Sequence, residues 1–229
     1  MDFLERLNEA QRTAVTAGGG PVLVLAGPGS GKTRVLTHRI AFLIQALGVP
    51  SYAILAVTFT NRAAREMKLR VEEMLGQEVG EIWLGTFHAM CARILRREYA
   101  VTPYDRNFVI MDSDDQEKLV KQAIEELKID SKLYKPASMH AAISNAKNQM
   151  IWPEEFKPSG YREEVIRRIY LQYNKLLVAN NAVDFDDLLL WAVRILEKNP
   201  VIRQRYARRF QHVLVDEFQD TNAVQSRFM

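Results

Sequence analysis

The chain is poor in cysteine, in long apolar runs and in net charge. Cys91 is the one cysteine among 229 residues, so no internal disulfide can staple the fold. That suits a reducing cytoplasm, which is where the composition places the protein. No apolar run approaches the ~20 residues of a membrane-spanning helix. Met1-Asp2-Phe3-Leu4-Glu5-Arg6 lacks the basic-then-apolar order of a secretory leader. No membrane partner is therefore expected. Repeats and low-complexity segments are absent as well, which argues against a solenoid or a disordered linker. A net charge of +3 is too small to point to nucleic acid by itself.

What is present is the balance of a globular protein, with 48% hydrophobic and 26% charged residues. Against that background two motifs stand out. Ala26-Gly27-Pro28-Gly29-Ser30-Gly31-Lys32-Thr33 follows the apolar run Val22-Leu23-Val24-Leu25 and precedes a helical stretch to Leu47. Strand, glycine-rich turn, Gly-Lys-Thr and helix make a phosphate-binding loop. Backbone N–H groups curl round an anion, and the helix N-terminus adds partial positive charge. Lys32 is expected to reach the β and γ phosphates and Thr33 to ligate Mg²⁺, so ATP and Mg²⁺ are the expected cofactors. The strict pattern has Gly at position 26, where this chain has the similarly small Ala26.

The second motif is Val213-Leu214-Val215-Asp216-Glu217-Phe218-Gln219-Asp220. Asp216 stands at the carboxyl end of a second apolar run, where ligands bind on open parallel sheets. It is placed to hold Mg²⁺, and Glu217 to orient or deprotonate an attacking water.

Short apolar runs at 22–26, 54–58 and 82–86 alternate with helical patterns, which predicts an α/β domain with a parallel sheet. From about residue 100 the pattern changes. Apart from a short strand expected at 107–111, residues 101–183 read as an all-helical block with 12 basic and 12 acidic residues. Pro136, Pro153, Pro158 and Gly160 punctuate it. Residues 1–100 carry 12 basic and 9 acidic residues, so the basic excess lies with the phosphate loop. The expected organisation is an α/β domain from 1–100 and 184–229, interrupted by a helical subdomain at 101–183.

Two further segments sit at strand ends: Thr58-Phe59-Thr60-Asn61-Arg62 and Gly85-Thr86-Phe87-His88-Ala89. Aromatic rings there can stack on bases, and hydroxyls and amides can hold phosphates. They can equally be core residues and satisfied polar groups, and the pattern alone leaves both open.

Taken together these segments resemble the superfamily 1 DNA helicases of the UvrD/Rep/PcrA type, over essentially the whole chain. Leu7-Asn8-Glu9-Ala10-Gln11-Arg12 is similar to the family's Q motif, and residues 26–33 to its Walker A motif. The Phe59 and Phe87 segments look like its early single-strand-binding motifs. Asp184-Phe185-Asp186-Asp187-Leu188-Leu189 resembles a further family segment, and Asp216-Glu217-Phe218-Gln219-Asp220-Thr221-Asn222 is the most specific match.

The resemblance implies a RecA-like P-loop NTPase sheet. It implies adenine recognition by Gln11, γ-phosphate sensing by Gln219, and a phosphate or sugar contact by Arg34. It implies that Phe59, Thr60, Asn61, Thr86, Phe87 and His88 meet single-stranded DNA, with single-strand/duplex junctions as the wider substrate. It further implies ATP-driven 3′ to 5′ translocation in DNA repair or replication. The family continues past this point into a coupling motif and a second RecA-like domain that supplies arginines to the γ-phosphate. The chain is accordingly expected to be the amino-terminal part of a longer helicase. The competing expectations are a non-catalytic ATP- and DNA-binding module, a nuclease-linked helicase relative, or a P-loop ATPase unrelated to nucleic acid.

Overall fold

Alternating apolar runs and amphipathic stretches fold here into a mixed α/β chain. The computed structural model describes residues 2–229. In chain order the first half comprises α1 (Asp2–Glu5), α2 (Glu9–Thr16), α3 (Lys32–Gln45), β1 (Ile54–Thr58), α4 (Asn61–Leu75), β2 (Trp83–Thr86) and α5 (Phe87–Arg97). Then come β3 (Val109–Ile110), α6 (Ser113–Glu126), α7 (Pro136–Asn148), α8 (Tyr161–Ala179) and β4 (Ala182–Val183). The last elements are α9 (Phe185–Lys198), α10 (Pro200–Arg209), β5 (His212–Val215) and α11 (Ala223–Phe228). Two compact units emerge. One comprises residues 1–90 with 204–220, the other 91–203 with 221–229.

The first unit is built on a parallel sheet in the order β2-β1-β5, with Ala56 opposite Leu84 on one side and Leu214 on the other. Every residue of β1 is buried, as a central parallel strand demands. Ile40 and Leu43 of α3 and Met67 and Val71 of α4 close over Ile54 and Ala56. Burying each such Ile, Leu or Val contributes about 1.5–3 kcal/mol. Thr60 caps α4 by accepting from the Ala63 N–H at 3.1 Å, and Gly76 ends it in the left-handed conformation.

Two sequence expectations need correction. Residues 22–26 are not a strand: they join no ladder, and Leu23 and Leu25 are 69% and 87% exposed. An apolar run satisfies the side-chain half of a buried strand; the backbone half needs a neighbour, and the sheet ends at β5. The helical block is not purely helical. The strand expected within 107–111 is β3, and an unforeseen β4 pairs with it in parallel, Val109 opposite Ala182, in a ladder whose two residues are too few to show a period at 182–183. The compact units themselves divide at 90/91 and 203/204. The reason is α9, whose buried Leu188, Leu189, Ala192 and Val193 give it an apolar face that belongs with the helices. Its Trp191 ring meets Trp152 at 4.9 Å and Tyr104 at 5.7 Å between centroids, within the same unit.

The helical unit packs α6, α7 and α8 round Leu119, Val120, Ile143, Ile169 and Tyr173. At its centre lies a buried ionic cluster. Lys147 of α7 donates to Asp184 at 2.6 Å and meets Asp187 at 2.7 Å, and the Tyr173 hydroxyl donates to Asp184 at 2.9 Å. Asp184 and Asp187 also form the capping box that starts α9. Burial alone would lower the Lys147 pKa, but the two carboxylates outweigh it and hold the ammonium above its usual range. Nearby, Asp186 accepts from Ser144 at 2.6 Å and from Asn148 at 3.0 Å, and Asn222 donates to Asn148 at 2.9 Å.

Candidate functional site

The loop between residue 26 and α3 is shaped by its glycines. Gly29 and Gly31 have φ of 74° and 88°, left-handed values that side chains resist. Ser30 closes the turn, donating from its N–H at 3.3 Å and from its hydroxyl at 2.6 Å to the Gly27 carbonyl. Gly31 then caps α3, so the positive end of the helix dipole lies at the end of the loop. A Cβ on Gly31 would come 3.0 Å from the Gln11 amide nitrogen. That amide donates to the Ser30 carbonyl at 3.0 Å, which ties α2 to the loop. Gln11 is itself held by a capping box with Asn8. Ala26 and Pro28 complete the loop's sequence with no side-chain hydrogen-bonding group of their own.

The end of β5 comes to the same point. The Asp216 N–H donates to the Val57 carbonyl at 2.9 Å, which extends the ladder by one residue. Its carboxylate accepts from the Thr33 hydroxyl at 3.4 Å, and Glu217 pairs with Lys32 at 3.6 Å. Gln219 donates to the Glu217 carboxylate. Glu217 has φ of 51°, an uncommon value for a side chain of its size. An ion pair this exposed is worth about 0–1 kcal/mol, so its meaning is placement and not stability.

Electrostatics favour a cation here. Asp216 is 6% exposed, and its pKa is raised first by burial and then by the neighbouring Glu217 charge, against a hydrogen bond from Thr33. A divalent cation would relieve both pressures. Among the described residues no group of three or more His, Cys, Asp or Glu gathers into a cage. Mg²⁺ fits such a sparse set, since it is commonly held by one or two protein oxygens together with substrate phosphates and water.

The other expected residues fall in two places. Arg34 does not face the loop: its guanidinium donates to the Arg6 carbonyl at 2.6 Å. At the carboxyl ends of β1 and β2, Thr60 and Asn61 are exposed, while Phe59 and His88 are half-buried. Thr86 is buried and accepts from the Ala89 N–H at 3.2 Å, which anchors the start of α5. Phe87 is only 1% exposed, so its ring cannot meet a base in this conformation. It packs edge-on against Phe59, centroids 5.7 Å apart, and sets that ring's orientation. Sequence reasoning missed Asn8 and Arg6, which position Gln11 and Arg34. The Asn-x-x-Gln spacing of the capping box was the available signal for the first; a backbone carbonyl such as that of Arg6 leaves none.

Among the described residues no helix is long and apolar enough to cross a membrane. The model of the UvrD/REP helicase N-terminal domain matches residues 7–229. The chain is 46% identical over 225 residues to the ATP-dependent DNA helicase PcrA of Bacillus subtilis, covering 97% of this chain and 30% of that protein. It is 44% identical to PcrA of Staphylococcus epidermidis and 43% to that of Staphylococcus aureus, each over 97% of this chain and 31% of the relative. The chain thus spans about a third of the length of the curated relatives it matches. A glycine loop meeting an Asp-Glu pair and tied to a Gln-bearing helix, in a unit that also carries two strand-end aromatic segments, agrees with these matches: the chain belongs to the UvrD/REP helicase N-terminal domain family.

Proposed function

We propose that residues 1–90 and 204–220 form a RecA-like ATP-binding unit, and that the longer protein is an ATP-dependent DNA helicase acting in repair or replication. The observation that carries this reading is the meeting of Lys32 with Glu217 and of Thr33 with Asp216 at one sheet edge. Bound Mg-ATP supplies a γ-phosphate whose hydrolysis releases the free energy for movement. Lys32 and the loop N–H groups hold the phosphates, and Thr33 and Asp216 hold the cation. Glu217 accepts a proton from the attacking water, and Gln219, already bonded to that carboxylate, orients it. Gln11 reads adenine from beside the loop.

Single-stranded DNA runs across the carboxyl ends of β1 and β2. Phe59 stacks on a base, and Thr60, Asn61 and His88 contact the backbone; Phe87 supports Phe59 from within. Junctions between single strand and duplex are the wider substrate. Translocation from 3′ to 5′ and unwinding belong to the longer protein, in which arginines from a second RecA-like domain complete the γ-phosphate site. ATP as fuel and DNA as track place that protein in the cytoplasm.

Calorimetry tests the nucleotide half. Lys32→Ala is expected to weaken Mg-ATP binding at least tenfold with the fold intact, because this half-exposed lysine packs little core. Equal affinity in both proteins would end the assignment. A second reading for these residues taken alone is an ATP- and DNA-binding module with little turnover. Single-turnover ATP hydrolysis with and without single-stranded DNA separates the two.

A further inference from the structure

The last turns of α5 carry Arg93, Arg96 and Arg97, three and four residues apart and so on one helical face. Tyr99 follows in the short 3₁₀ turn Tyr99–Val101, and Arg106 reaches the same place from the turn before β3. The five side chains are exposed and line a concavity of about 440 Å³ within the helical unit. Of the four guanidinium groups, those of Arg96, Arg97 and Arg106 repel each other round one hollow. Two local effects temper this. The carbonyl end of α5 favours cations in its last turn. Arg96 also lies over the Phe108 ring, 5.1 Å from its centroid.

Neither effect neutralises Arg97 or Arg106. Among the described residues no carboxylate lies within ion-pair distance of Arg96, Arg97 or Arg106. Glu98, next in sequence, is buried, and Asp105 is bonded through its backbone N–H to Asn181. Other arginines of this unit are matched: Arg167 pairs with Glu164 and Arg227 with Glu197. A set of arginines left unmatched round a hollow is the arrangement that an external polyanion completes.

We propose that this concavity binds the phosphodiester backbone of a nucleic acid, at a place distinct in sequence from residues 59–61 and 86–88. The inference rests on the reading that the protein works on DNA. Guanidinium forks match phosphate oxygens bidentately. Tyr99, 41% exposed, offers a hydroxyl to a phosphate or a face to a base. The lining holds no amide or carboxylate to read base edges, so binding is independent of sequence.

Fluorescence anisotropy of the 229-residue chain tests this, with a labelled oligothymidylate of about 16 nucleotides and a duplex of the same length. Affinities are read between about 50 and 200 mM salt. Arg97→Gln with Arg106→Gln is expected to weaken binding and to lower the slope of log affinity against log salt by about 1.4 on single strand or about 1.8 on duplex. Arg97→Lys with Arg106→Lys keeps the slope, since charge sets it. The oligonucleotide that loses slope identifies the strand form. Wild-type affinity and slope in the glutamine variant on both DNAs would overturn the proposal, as would a wild-type chain that binds neither. If only Phe59→Ala weakens binding, the DNA reading stands and this inference falls; if only the arginine variant does, the reverse holds for the sheet-edge site.

Discussion

Single side chains here do two tasks at once, and Gln11 shows it most plainly. Its Oε1 accepts from the Asn8 N–H at 3.2 Å to cap α2, while its Nε2 grips the Ser30 carbonyl. Gln11→Ala is expected to cost about 1 kcal/mol of stability and to loosen Mg-ATP several-fold, read by thermal melting and calorimetry on one sample. A variant that melts lower yet binds ATP unchanged would confine Gln11 to the cap. The sequence showed which residues meet around Lys32 because backbone geometry constrains them: glycine adopts the φ of Gly29 and Gly31 without strain, and Asp216 stands where its apolar strand ends. It was less informative where a side chain could turn either way. Arg34 reaches back to Arg6, and Phe87 turns into the core to support Phe59, outcomes that depend on tertiary neighbours and leave no local pattern.

Elements follow the same division. β1, β2 and β5 fall where apolar runs put them, and α4 starts at its Thr60 cap. Residues 22–26 share the composition of β1 but not its neighbours, and hydrogen exchange should register this. Amides of 23–25 are expected to exchange almost as fast as an unstructured chain, while those of 55–57, laddered on both sides, are protected. Comparable protection in the two segments would mean that 22–26 has found a partner strand in solution.

In the helical unit, the start of α9 carries a titration. Burial first, and then the Asp184 charge, push the Asp187 carboxyl up to about 7, against the pull of Lys147. One proton makes the Lys147-Asp184-Asp187 cluster neutral. The folded chain therefore holds that proton more tightly than the unfolded one. Its stabilisation is complete below the usual carboxylate range and is lost as pH rises through about 7. Denaturant titrations from about pH 4 to 8 should show stability falling with pH, and Asp187→Asn should flatten the trend. An unchanged slope in the variant would place the titration elsewhere.

At the scale of the whole molecule, the sequence pattern located the change from sheet to helices but not its edges. Charge balance and proline punctuation mark where a chain changes character. Packing decides which unit claims a helix, and α9 went with the helices through Trp191 and its leucines. Net charge is similarly uninformative: a total of +3 conceals an unmatched cluster at Arg96, Arg97 and Arg106. One backbone angle reaches furthest into the behaviour of the entire chain. Glu217 is held at φ of 51°, a conformation that costs a residue with a Cβ about 1–2 kcal/mol. Glu217→Gly should therefore be more stable than Glu217→Ala by about 1 kcal/mol, the reverse of their order in a helix. Equal melting temperatures would show the turn relaxing around alanine. Both variants lack the carboxylate that pairs with Lys32 and that the proposed reading makes the proton acceptor. A laboratory selection of this protein for heat resistance alone would thus accept glycine at 217 readily, and its survivors would be robust proteins stripped of the carboxylate that faces Lys32.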